Sequence, residues 1–161
     1  MRRSGEPGGY DTAQVCRNGH DVTASYHDFP EHRQKHCAQC GASTITACLC
    51  CSAEIRGYYR GSMSLQAFVV PPFCHECGKP YPWTEAKQQA ALELIDELDG
   101  LSSEERSALK GTLPDLVRDT PRSELAALRF KKLAAKVSRA AGDVLRKVVV
   151  DLAAEAIKKS L

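Results

Sequence analysis

The stretch that decides the fold is Cys74-His75-Glu76-Cys77-Gly78-Lys79-Pro80-Tyr81-Pro82-Trp83-Thr84. Two cysteines separated by two residues let two thiolates converge on one ion. Glycine directly after the second allows the left-handed backbone that completes such a turn. The prolines that follow hold the connector extended, and Trp83, the only tryptophan, has an apolar body suited to docking against the turn or the next helix. Thr84 is the expected N-cap of a helix, so the principal domain boundary is placed there.

Working upstream, three further pairs share this logic: Cys16-Arg17-Asn18-Gly19-His20, Cys37-Ala38-Gln39-Cys40-Gly41 and Cys48-Leu49-Cys50-Cys51. The eight donors Cys16, His20, Cys37, Cys40, Cys48, Cys51, Cys74 and Cys77 fill two tetrahedral zinc sites, one with three thiolates and an imidazole and one with four thiolates. Neither site keeps the open position of a catalytic zinc. Cys50 is left spare, because Cys48 and Cys51 preserve the spacing of the other turns. A dithiol redox role for Cys50 and Cys51 is the weaker reading, since no alternating strand and helix pattern surrounds them.

Sequential pairing predicts two tandem ribbons, Cys16/His20/Cys37/Cys40 followed by Cys48/Cys51/Cys74/Cys77, with each longer interval closed as a β-hairpin. The alternative is a cross-brace joining the first pair to the third and the second to the fourth. His32-Arg33-Gln34-Lys35-His36-Cys37 partly resembles the phosphoinositide-binding motif of FYVE domains, with Arg33, Lys35 and His36 toward an anionic head group. That family's tryptophan motif and its Arg-Val-Cys element are absent, so solvated loop charge is the simpler reading. His32 and His36 are expected at the surface, and His75 within its own turn; His27 has no partner that sequence can name.

All eight cysteines precede residue 78 in a chain of 161 residues with net charge +2. Met1-Arg2-Arg3 is followed by Ser4-Gly5-Glu6-Pro7-Gly8-Gly9 rather than an apolar run, so no export signal is read. A reducing cytoplasm is then the expected compartment, where paired thiols serve metals more often than disulfides. No apolar run reaches membrane-spanning length. Charge is divided unevenly: residues 1–84 carry 8 basic and 7 acidic groups, residues 85–128 carry 5 and 10, and residues 129–161 carry 9 and 3.

Between the third and fourth pairs, Ile55-Arg56-Gly57-Tyr58-Tyr59-Arg60-Gly61 and Leu65-Gln66-Ala67-Phe68-Val69-Val70 read as two strands around a Gly/Ser turn. Arg56, Tyr58, Tyr59 and Arg60 are candidate nucleic-acid contacts, guanidinium groups on phosphates and rings on bases. The competing reading is an ordinary hairpin with one ring packed inward.

Downstream, Ala86, Ala90, Leu94 and Leu98 mark a helix over 85–98 that Asp99-Gly100 ends. Ser102-Ser103-Glu104-Glu105 has capping-box spacing, and Pro114 limits the short helix it starts. Thr120-Pro121 opens a long last segment in which Phe130, Leu133, Val137, Ala141, Val144, Val148 and Leu152 recur at helical spacing. Its Lys131, Lys132, Lys136, Arg139, Arg146 and Lys147 give a basic face, and Val148-Val149-Val150 suits self-association or a partner helix.

The Cys74–Thr84 stretch, with Cys16-Arg17-Asn18-Gly19-His20, Ile55-Arg56-Gly57-Tyr58-Tyr59 and Leu116-Val117-Arg118-Asp119-Thr120-Pro121-Arg122, resembles an uncharacterised bacterial family that has an amino-terminal double zinc ribbon and carboxy-terminal helices. The resemblance covers nearly the whole chain and implies a bacterial origin and these zinc ligands, without implying a reaction. Cys50 departs from its usual pattern.

The reading is therefore α+β: a flexible amino terminus over 1–12, a double zinc-ribbon domain over 13–84, and a helical domain over 85–161 with a long amphipathic last helix. Two Zn2+ ions stabilise the ribbons. The expected role is that of a non-enzymatic adaptor or regulator acting through a protein partner or self-association. The alternatives are nucleic-acid binding through the Arg/Tyr hairpin and the basic last helix, cross-brace binding of anionic lipid, and a metal-dependent enzyme; peripheral membrane contact is not expected.

Overall fold

The structure, a computed structural model, describes residues 9–61, 67–154 and 158–161. It divides into two compact units, Met1–Glu85 and Ala86–Leu161.

In the first unit β1 (Tyr10–Thr12) pairs antiparallel with β5 (Arg56–Tyr59), Tyr10 opposite Tyr59 and Thr12 opposite Arg56. A second sheet places β2 (Gln14–Cys16) between β3 (Asp21–Thr23) and β4 (Thr44–Ile45). Ala13, Val15, Ile55, Tyr81 and Trp83 form its core together with the sulfur-bearing side chains of Cys48 and Cys74.

Three expectations change here. Of the amino terminus expected to be flexible over residues 1–12, residues 1–8 lie outside the described residues, whereas Tyr10–Thr12 is a strand. Asp11 anchors it: the buried carboxylate accepts backbone N–H groups of Thr12, His27 and Asp28 at 2.6, 3.1 and 3.0 Å and faces the Arg60 guanidinium at 3.3 Å. The expected partner of the Arg56–Tyr59 strand also differs. Residues 62–66 lie outside the described residues, residues 67–70 form no strand, and β5 takes β1 instead. Gly57 makes that possible, because Ala13 N–H donates to Ile55 O at 2.7 Å and Tyr58 N–H to Ala24 O at 2.8 Å on either side of it. A Cβ on Gly57 would stand 2.0 Å from Ala24 O.

The third change concerns Thr84, which is not an N-cap. Helix α1 (Pro82–Asp96) already begins at Pro82, whose fixed φ suits a first turn, and the Thr84 hydroxyl donates to Pro72 O at 2.8 Å.

The second unit contains the rest of α1, then α2 (Ser103–Lys110), α3 (Leu113–Val117), α4 (Ser123–Ala134) and α5 (Arg139–Leu152). Ile95, Leu109, Leu116, Phe130, Leu145 and Val149 are its best-buried side chains. Ser102 and Glu105 form the capping box of α2, with Glu105 N–H on the Ser102 hydroxyl at 3.2 Å and Ser102 N–H on the Glu105 carboxylate at 3.0 Å. Arg106 then donates to the carbonyls of Ile95, Asp96 and Leu98 at and just beyond the carboxy-terminal end of α1.

The long last helix is two helices. Ser138 turns its hydroxyl to the Ala141 N–H at 3.3 Å and starts α5 as an N-cap, so the uninterrupted apolar periodicity across 130–152 runs over a turn at 135–138. Gly142 packs on the end of α4, where a Cβ would stand 3.4 Å from Ala134 O, an ordinary contact. The start moves as well, from Thr120 to Ser123. Thr120 N–H instead donates to the Ser123 hydroxyl at 2.9 Å, and that hydroxyl sits 2.7 Å from Asp115 O and 2.8 Å from Arg118 O. Among the described residues no helix is long and apolar enough to cross a membrane.

Candidate metal centres

Three of the four cysteine turns have one backbone design. Cys37 N–H donates to Ala42 O and Gly41 N–H returns to Cys37 O; Cys48 with Ala53 and Ser52, and Cys74 with Lys79 and Gly78, repeat it, all at 2.8–2.9 Å. Each turn is closed by a single antiparallel bridge, His36 to Ser43, Ala47 to Glu54, and Phe73 to Pro80. Within the turn a backbone N–H points at the first sulfur, Gln39 to Cys37 and Cys50 to Cys48, each at 3.4 Å. Gly41 and Gly78 have φ of +72° and +68°; Ser52 takes the equivalent place at +62°, where a side chain is strained.

The first pair spaces its donors one residue further apart, yet its backbone turn closes one residue earlier. Cys16 N–H donates to His20 O at 3.0 Å and Gly19 N–H to Cys16 O at 2.8 Å. Gly19, at φ +87°, leaves room for Trp83, whose Cβ would lie 2.8 Å from a Cβ on this glycine. Trp83 stacks on Tyr81 with ring centroids 4.6 Å apart and donates its indole N–H to Pro71 O at 3.0 Å. The tryptophan singled out in the sequence therefore seats the first turn.

These turns bring the donors together in sequence order. The Sγ atoms of Cys16, Cys37 and Cys40 lie with a ring nitrogen of His20 within 4.8 Å of one another, and the Sγ atoms of Cys48, Cys51, Cys74 and Cys77 do the same. The cross-brace is thereby corrected, because β2 and β4 are hydrogen-bonded neighbours and carry the first pair to the second. All eight cysteines are free thiols.

The separations fit a cation. A tetrahedral ion with bonds of about 2.3 Å to sulfur and about 2.0 Å to nitrogen sets S···S edges near ~3.8 Å and S···N edges near ~3.5 Å. Cys16 and Cys40 are 3.8 Å apart, Cys48 and Cys77 3.8 Å, and Cys51 and Cys74 3.6 Å. His20 Nδ1 lies 3.4 Å from Cys16 Sγ and 3.6 Å from Cys37 Sγ. Both clusters can therefore hold a metal ion.

The electrostatics also favour a cation. Ala42 N–H, then the Asn18 amide at 3.3 Å, hold the Cys40 thiol down at about 6. Burial opposes ionisation of Cys74, yet the Cys77 and Glu76 N–H groups bring it to about 6. Around it Cys51 is shifted up, and Cys77 is pushed up to about 12 despite the Lys79 N–H, by burial and by its sulfur neighbours. Four sulfurs this close cannot all ionise unless a positive charge stands among them. Asn18 was not singled out in the sequence; its position inside the Cys16–His20 turn was the signal. The Tyr81 hydroxyl is buried beside the Cys74 thiol, and burial first, then the Cys74 charge, raises its pKa.

The other candidates lie elsewhere. Cys50 is exposed and outside the donor set, with the Lys79 ammonium against it and raised by that contact. Arg33 lies over the Tyr26 ring at 4.2 Å and donates to Tyr26 O at 2.8 Å. His32 stacks on Phe29, His27 is 3.8 Å from Glu54, and His75 is 3.4 Å from Glu76. Of the nucleic-acid candidates, Arg60 is held by Asp11 and Asp28 at 3.3 and 3.1 Å. Arg56 lies over Tyr10 at 5.0 Å, Tyr10 meets Tyr59 edge to face at 5.3 Å, and Tyr58 meets Phe68 at 6.0 Å.

Residues 9–161 match the sequence profile of a family described as uncharacterised proteins conserved in bacteria, DUF2321. The chain belongs to that family. No curated protein and no solved structure matches it. The DUF2321 match runs through both donor clusters and through α1 to α5.

Proposed function

We propose that the protein is a zinc-stabilised, non-enzymatic adaptor of the bacterial cytoplasm, in which two structural Zn2+ ions hold the ribbons so that their surface can engage a protein partner. The observation that carries it is the pair of complete four-donor sets. Cys16, His20, Cys37 and Cys40 hold one ion; Cys48, Cys51, Cys74 and Cys77 hold the other. Thiolate-rich sets select zinc over hard cations such as magnesium or calcium. With four protein donors on each ion, no position is kept for a substrate, and the metal supplies folding energy rather than chemistry.

The contact surface is Tyr10, Arg56, Tyr58 and Tyr59. The three rings are each about half exposed, at 52%, 44% and 48%, and tyrosine with arginine is the composition of interface hot spots. The same exposed rings favour a second reading, single-stranded nucleic acid stacked on tyrosine. Charge weighs against it. Residues 1–84 carry +1 from their acidic and basic side chains, and seven thiolates around two dications add a further −3, so the zinc-loaded ribbons repel a polyanion.

Elemental analysis of the purified chain, followed by titration with a single-stranded oligonucleotide at rising salt, tests both readings. Two zincs per chain and no salt-sensitive binding are expected. Fewer than two zincs overturns the ligand assignment, and steeply salt-dependent binding replaces the adaptor with a nucleic-acid protein.

A further inference from the structure

The strongest feature outside the metal centres is a cavity of about 500 Å³ between the α2–α3 corner and α4. We infer that it is a binding site for a single-chain anionic amphiphile, an acyl chain ending in a carboxylate or comparable acid. The inference is independent of the zinc sites and of the adaptor reading.

The floor is apolar. Buried Ala126 and half-buried Leu133 form it, exposed Ala108 and Gly111 line the opposite side, and Leu125 is a lining residue still 45% exposed. Thr112 is a lining residue whose hydroxyl is already used, donating to Leu109 O at 2.7 Å. Such a floor has little to offer a small hydrated anion and rewards a hydrocarbon chain. The volume lies within the range of small-molecule sites, about 300–1,000 Å³. Along α4 the lining runs from Arg122 to Leu133, about 16 Å at ~1.5 Å per residue, the reach of an extended acyl chain.

Charge gives the cavity a direction. At the Arg122 end the guanidinium is 3.5 Å from Asp115, so that cation is matched. Toward the other end Arg129 and Lys132 lie three residues apart on one face of α4, both exposed, and among the described residues neither has an ion-pair partner. One end is neutralised and the other is cationic, with hydrocarbon-lined space between, which complements a ligand with one acidic head and one tail. An acidic helix of a partner would call for cations available at both ends.

The test uses the full-length chain and dodecanoate below its micellar concentration, with dodecanol and dodecyltrimethylammonium as neutral and cationic matches. Calorimetry reads affinity and amide NMR shifts locate the site. Dodecanoate should bind at least tenfold more tightly than either match, with shifts centred on Ala108, Gly111 and Leu133. Arg129→Gln with Lys132→Gln should weaken it tenfold or more while leaving helix content unchanged by circular dichroism. Ala108→Phe, which fills the cavity, should abolish binding of all three. Equal affinity for the three probes, shifts that map elsewhere, or indifference to the double substitution overturns the inference. So does binding seen only with phosphatidylglycerol vesicles, which would mark a membrane surface, or a ligand-free dimer whose interface covers Leu125.

Discussion

The two units of this chain stabilise themselves in different ways. The amino-terminal unit has strands of two to four residues and a core in which Ala13, Val15, Ile55, Tyr81 and Trp83 share space with cysteines. So small an apolar core leaves this unit in need of further cross-links, and the two four-donor clusters, each able to hold a metal ion, are placed to supply them. The carboxy-terminal unit contains no cysteine or histidine and is packed from Ile95, Leu109, Leu116, Phe130, Leu145 and Val149. With metal in the clusters, as proposed, the chain divides its folding energy between coordination and burial, and each half should fail to a different perturbation.

Removal of metal is the largest. Structural zinc contributes about 10–16 kcal/mol of apparent binding energy in small ribbons. Chelation, or Cys48→Ser with Cys74→Ser, should collapse amide dispersion of the first unit while that of the second persists. Retention of the first unit's dispersion after complete chelation would erase the comparison. Phe130→Ala is the mirror experiment: it removes a side chain 1% exposed in α4 and should cost about 4 kcal/mol. Thermal melts should show that loss in the helical unit only, with metal content unchanged.

Gly57→Ala comes next. Its Cβ at 2.0 Å from Ala24 O must push β5 away from the neighbouring chain, a cost of about 3 kcal/mol seen as weakened zinc retention under competition with a chelator. Ser102→Ala removes the α2 cap at about 1 kcal/mol, read in denaturant melts. The partner in that cap adds a pH dependence. Lys136, then the Ser102 N–H, hold the Glu105 carboxyl below its ordinary value, so its contribution is complete above the unfolded carboxyl range and is lost as pH falls through the depressed native value. Glu105→Gln should flatten that acid limb. The smallest effect is a gain: Ser52→Gly relieves a side chain at φ +62° and should stabilise the third turn by roughly 0.5–1 kcal/mol, measured as slower zinc loss.

The clustered cysteines were readable one residue at a time because C-x2-C spacing and a following glycine act within a single turn; Ser52 shows the rule surviving where glycine is missing. Strand partners were not. Nothing local marks Tyr10–Thr12 as the neighbour of Arg56–Tyr59, since that pairing depends on Asp11 finding Arg60 and on the gap at Gly57. The apolar period across 130–152 likewise concealed a break, because Ser138 caps a helix without disturbing the spacing of the residues around it.

By itself, then, the sequence determined the four Cys/His turns, the capping box at Ser102 and the division into a cysteine-rich half and a helical half, all of which rest on residues within a few positions of one another. Tertiary structure alone decided which pairs come together, which strand completes the first sheet, where the last helix divides, and that α4 meets α2 and α3 around a cavity. Those outcomes depend on contacts between segments distant along the chain, whose relative energies no short stretch contains.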